Sequence, residues 1–194
     1  MANVDRPNGA VAIDSLTGSP VVGKMNPYTA DGTVNDAAIF PGDFVTLTAN
    51  GTVRVAVAAE VILGVCGGIE VAAPTVEDGF LSNNNIGVTE HPGYLPADTA
   101  GTVLVLDDPD QLFEIQSDGI ITSVDQGNNA EIVPTAGSTV TGRSAMEVSA
   151  TTIAGTAQLR LIRPIKRADN DITLTNGRWI VYINEHAYRT AAGI

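Results

Sequence analysis

The feature that most restricts the folds open to this chain is branching at Cβ: valine, isoleucine and threonine number 21, 16 and 20, so 57 of 194 residues carry it. Such side chains are stiff at χ1 and suit a pleated, half-buried surface better than a helix. The strong helix formers are scarce, with 11 leucines, 8 glutamates and 2 lysines, and only alanine, at 24, is plentiful. Twenty glycines and ten prolines are spread along the sequence as turn positions. The expectation is an all-β fold, sandwich or jelly-roll-like or a small barrel, with roughly eight to eleven short strands and room for one or two short helices.

Strand signals begin at Ile39. Pro41-Gly42-Asp43 reads as a tight turn into Phe44-Val45-Thr46-Leu47, and Asn50-Gly51 as a type I′ hairpin turn returning through Thr52–Val57. Val61–Cys66 is a continuous apolar run, expected as a strand buried on both faces. Val103–Leu106, Leu112–Ile115, Ser144–Val148, Gln158–Ile165 and Arg178–Asn184 follow, with Asn176-Gly177 as a further hairpin turn. Residues 74–101 form a second irregular region, a long loop or an insertion carrying a hairpin near Ile86–Val88. Residues 1–38 show no sustained period and are broken by Pro7, Gly9, Gly18, Pro20, Gly23, Pro27 and Gly32. They are expected to be an extended N-terminal arm to a β-rich body over 39–194, and Ala191–Ile194 a loose tail.

Charge narrows the partners. The formal net charge is −12, which repels phosphate backbones, so no nucleic-acid partner is expected. It is unevenly spread: residues 1–142 hold 3 basic and 18 acidic side chains, residues 143–194 hold 7 basic and 4 acidic. The polar, Pro/Gly-interrupted start does not resemble a signal peptide, and Val55–Ile69, broken by Glu60, is shorter than a membrane span needs. A cytosolic start and no membrane partner are expected.

Little in the sequence points to catalysis. Cys66 is the single cysteine and lies in an apolar run, which predicts a packing role. His91 and His186 are the only histidines and lack zinc-site spacing; Glu185-His186, after the last strand, is expected to be solvated. Asp107-Asp108-Pro109-Asp110 is the one dense carboxylate cluster and reads first as a turn. A calcium site on Asp107, Asp108 and Asp110 is the weaker alternative, since the run lacks the EF-hand's later glycine and glutamate. Gly64-Val65-Cys66-Gly67-Gly68 has neither the lysine nor the following helix of a phosphate loop. Neither an enzyme class nor a cofactor is expected.

Several stretches, taken in order, form a pattern. They are Ala2–Gly9 with Gly18-Ser19-Pro20, Ile39–Val45, Ile62–Val65, Val105–Gln116, Ala145-Met146-Glu147 and Trp179–His186. Together they resemble the capsid decoration (cement) proteins of tailed bacteriophages. The resemblance implies a mostly β, non-enzymatic structural protein on the outer capsid surface, made in the host cytoplasm and often dimeric or trimeric. Its partners would be the major capsid protein and other copies of itself, clamped against internal DNA pressure. Val4, Asp5, Arg6, Pro7, Val11 and Ile13 are the candidate capsid contacts of the arm. Two other readings compete: a carbohydrate-binding β-sandwich of a fibre or adhesin, against which the 5% aromatic content argues, and a small β-barrel hydrolase using Asp108 or Glu114.

Overall fold

Where apolar and polar side chains alternate between turn residues, the chain is in strand. The structure, a computed structural model, describes residues 3–18, 24–70 and 93–189. Eleven strands run through them: β1 Val11–Ser15, β2 Asn26–Ala30, β3 Phe44–Leu47, β4 Val53–Val55, β5 Gly64–Glu70, β6 Gly101–Leu106, β7 Gln111–Gln116, β8 Asn129–Val133, β9 Glu147–Ala154, β10 Leu159–Pro164 and β11 Arg178–Ile183. The protein is all-β, with two antiparallel sheets that do not close into a barrel. One sheet has the order β1-β7-β11-β10-β8-β9 and the other β2-β6-β5-β3-β4. Among the described residues, no helix is long and apolar enough to cross a membrane.

The core lies between the sheets and on the far face of the smaller one. Phe113, Ile115, Leu159, Trp179 and Val181 of the larger sheet pack with Phe44, Ile62 and Val65. Phe44 and Phe113 meet edge to face, with ring centroids 6.3 Å apart. Each such side chain contributes about 1.5–3 kcal/mol on burial. Val45, Leu63, Cys66, Val103 and Val105 point the other way, into a second cluster closed by Ile39 and Leu95. Successive residues of one run thus serve different cores. This is why Val61–Cys66 reads as unbroken hydrophobicity rather than alternation.

The first 38 residues depart from expectation. Those described do not project as an arm: β1 is the edge strand of the larger sheet, paired with β7, and β2 is the edge strand of the smaller, paired with β6. β1 has a bulge at Ile13, and its outward positions meet solvent, with Val11 40% exposed. An edge strand half exposed on its faces leaves no clean period in the sequence.

Three smaller expectations also change. Only Gly51 of the Asn50-Gly51 pair has a positive φ, at 77°. The Gly51 amide donates to the Thr48 carbonyl and the Thr48 amide to the Thr52 carbonyl. That is a type I turn closed by a left-handed glycine, not a type I′ turn. Asn176-Gly177 ends a long connection between β10 and β11 rather than forming a tight hairpin. Finally, β8 arises within the small, polar stretch 127–142, where no strand is expected. The proposed hairpin near Ile86–Val88, His91 and the tail 191–194 lie outside the described residues.

Candidate functional site

The leading segment is held to the body by side chains far away in sequence. The Asn3 side-chain amide donates to the carbonyls of Asp171 and Thr175, both at 2.8 Å, and its oxygen accepts from the Asp171 amide at 2.9 Å. Gln116, buried at the end of β7, accepts from the Arg6 amide at 3.1 Å. Its own NH2 donates to Asp5 and to Glu147, at 3.1 and 2.9 Å. Arg178 donates to the Arg6 carbonyl at 3.1 Å, and Arg143 to the Asn8 side-chain oxygen at 3.0 Å. None of these partners stands out in the sequence, because every bond made by residues 3–8 spans more than a hundred residues and no local spacing announces it.

At Gly9 the segment passes under a clasp. The Ala10 amide donates to the Gly42 carbonyl at 2.9 Å, the Gly42 amide to the Cys66 carbonyl at 2.8 Å, and the Ser144 amide to the Pro41 carbonyl at 3.2 Å. Beneath it Asp43, 2% exposed, accepts from the Phe40 amide at 2.8 Å. Burial raises the Asp43 carboxyl to about 6, against the lowering effect of bonds from Ser144 and Phe40.

A furrow follows the segment. Three adjoining clefts of about 260, 540 and 450 Å³ make it up. The first and second share Arg6 and Arg178; the second and third share Asn8, Thr141 and Arg143. Of the sequence candidates, Val4, Arg6, Pro7 and Val11 line it. Val4 is 69% exposed. Asp5 is turned to Gln116, and Ile13 sits in the bulge of β1. Arg143, Arg167 and Arg178 complete the wall, so four of the ten basic residues of the chain gather here. Sequence position alone separates Arg6 from the other three.

The Asp107–Asp110 run does not converge on an ion. Asp107 is buried and accepts from the Asn26 side-chain NH2 at 2.8 and 2.9 Å and from the Tyr28 hydroxyl at 2.5 Å. Burial first, and then this bond, hold the Tyr28 phenol well above its usual range. Asp108 accepts from the Asp110 amide at 2.9 Å, while Asp110 pairs with Arg189. Among the described residues, no three histidine, cysteine or acidic side chains are placed to share a metal. The cluster is a turn that anchors β2. Glu114 is bound on the sheet face by Arg167 at 2.7 Å and Arg178 at 3.3 Å.

His186 corrects its expectation. It is fully buried, bridges to Ile62, and accepts from the Tyr188 amide through Nδ1 at 3.1 Å. Desolvation lowers it to about 4, so it is neutral in the fold near pH 7. Cys66 is buried as the sequence predicts, and desolvation raises its thiol to about 12. With the thiolate so scarce, labelling of the native protein at pH 8 by an aromatic disulfide should run roughly a thousandfold slower than in urea. Equal rates in both states would contradict the burial. No family model, curated protein or solved structure matches this chain.

Proposed function

We propose that this chain is a non-enzymatic capsid decoration protein of a tailed bacteriophage, seated on the outer face of the shell and clamping neighbouring major capsid proteins. The observation that carries the reading is the leading segment. It is strapped to a rigid two-sheet body, and it turns Val4 and Val11 outward, at 69% and 40% exposure. Leu16, at 46%, extends the same exposed series beyond the clasp. The ordered sequence resemblance points the same way. A lasting contact needs on the order of 1,600 Å² in total, which the body and the strapped segment beside it would supply together. Repetition by shell symmetry, with contacts shared among copies as a dimer or trimer, adds avidity.

The arm of the sequence reading is better described as a strap, and that changes its test. Removing residues 2–20 would strip β1 from the sheet, so the informative truncation is residues 2–8. Co-sedimentation with expanded shells is expected to show saturable binding by the full chain and at least tenfold weaker binding by the truncated one. A single cooperative thermal transition, lowered by no more than the loss of the strap's bonds accounts for, would show that the body is intact. Full-chain protein that never sediments with shells overturns the proposal. The carbohydrate alternative loses support, because Trp179, the only tryptophan, is fully buried in the core.

A further inference from the structure

We infer that the furrow beside residues 3–12 binds an extended acidic segment of a polypeptide partner. The inference deepens the shell-binding reading and rests on it for the partner's identity, while the charge chemistry stands on the furrow itself.

Carboxylates are distributed unevenly along this wall. Arg167 and Arg178 share Glu114, and Asp169 lies 3.6 Å from Arg167. Arg6 and Arg143 have no carboxylate partner among the described residues; the Arg143 guanidinium meets only the neutral Asn8 side chain. These two flank the middle cleft, whose lining contains no acidic residue. In a chain of net charge −12, two exposed guanidiniums without an acid beside them mark a place where an external carboxylate can lower the energy. The Asn8 bond holds one of them in position before anything binds.

Shape and neighbours favour a peptide over a free anion or a duplex. The three clefts run in series along residues 3–12, from Asn3 and Val4 in the first to Val11 and Ala12 in the third, a longer site than one phosphate needs. Exposed Val4 at one end and Val11 at the other offer apolar contact on either side of the charges. Nucleic acid presents a phosphate charge every few ångströms and asks for many cations. This wall has two uncompensated ones, and the acidic remainder of the molecule opposes a long polyanion. A strand-like segment with alternating acidic and aliphatic residues satisfies both the charge and the apolar ends.

The test uses the full chain and a labelled peptide of about ten residues alternating Asp or Glu with Leu or Val. Its Asn/Gln counterpart, inorganic phosphate and duplex DNA serve as competitors. Binding is expected to weaken about tenfold for the amide peptide and about tenfold in the Arg6→Gln/Arg143→Gln double variant, whose thermal transition should fall by no more than about 3 °C, because both side chains are exposed and only the Arg143 bond to Asn8 is lost. Equal affinity for the amide peptide, undiminished binding by the variant, full displacement by phosphate or DNA, or no binding at all overturns the inference. Shells separate the two readings. A variant that still sediments with shells like wild type removes the furrow as the partner site and leaves the decoration reading standing. Acidic-peptide binding by a wild-type chain that ignores shells does the reverse.

Discussion

Replacing Gly9 by alanine is expected to destabilise the protein by about 2–5 kcal/mol and to free the strap. Gly9 has φ +63°, where a residue with a Cβ costs about 1–2 kcal/mol. Space adds a larger penalty. A Cβ there would lie 2.3 Å from the Gly42 carbonyl oxygen and 2.5 Å from the Ser144 side chain. The first obstacle is backbone held by its own hydrogen bonds, so it cannot swing aside, and overpacking of this kind costs about 1–3 kcal/mol. For a domain of this length the thermal midpoint should fall by roughly 10 °C. Amide exchange should accelerate most in β1, and shell binding should drop with it. Gly18→Ala is the control: its φ is +71°, but nothing lies within 4 Å of the added methyl, so only about 1 kcal/mol is at stake. Should Gly9→Ala and Gly18→Ala unfold alike, the clasp is not what holds the segment.

That clasp also shows where the sequence was readable and where it was not. β3, β6, β7, β10 and β11 lie close to where alternation and turn residues place them, because each buries at least one face against a core. β1, β2 and β8 escape notice for the opposite reason. Asn26-Pro27-Tyr28-Thr29-Ala30 is an edge strand whose side chains are mostly half or fully exposed, and Pro27 removes a donor that an edge can spare. The turn at Asp107–Asp110 was legible, since Asp and Pro report local backbone needs. That Asp107 is satisfied by Asn26 and Tyr28 was not, nor was Gln116 as the anchor of Asp5 and Arg6. Those roles depend on which strands become neighbours, and sheet order leaves no trace in local spacing. Charge is the intermediate case. The excess of basic residues after 142 is visible in the sequence, but only the folding of Arg6 beside Arg143 and Arg178 turns it into a site.

Asp43→Asn and His186→Gln are expected to tilt the pH dependence of stability in opposite directions. Asp43 is raised from 3.8 to about 6 in the fold. Between those values the native state holds a proton that the unfolded chain has released, so stability is full below pH 4 and declines as pH rises through 6. The swing is about 3 kcal/mol. His186 is lowered from 6.5 to about 4. Here the unfolded chain binds the proton first, so stability is full above pH 6.5 and is lost as pH falls through 4, again by about 3 kcal/mol. The windows overlap, and the two slopes oppose each other across pH 4–6.

The surroundings fix which residue is responsible for which slope. Asp43 faces the neutral Cys66 thiol and the Ser144 hydroxyl, so burial dominates it. His186 faces Arg189, which adds to its lowering, and Asp107 and Asp108, which resist it. Glu147, raised chiefly by burial, reinforces the Asp43 slope, whereas Asp31 and Asp171, held low by bonds from Thr33 and Thr173, act below this window. Urea midpoints at about pH 4, 5 and 6 read the difference directly. Relative to wild type, Asp43→Asn should gain stability as pH rises across the window, because the slope of His186 is then unopposed. His186→Gln should lose it, each by about 3 kcal/mol at the extremes. Parallel curves for either variant and the wild type would mean that the mutated group is not desolvated, and for Asp43 that the clasp over Gly9 is open to water.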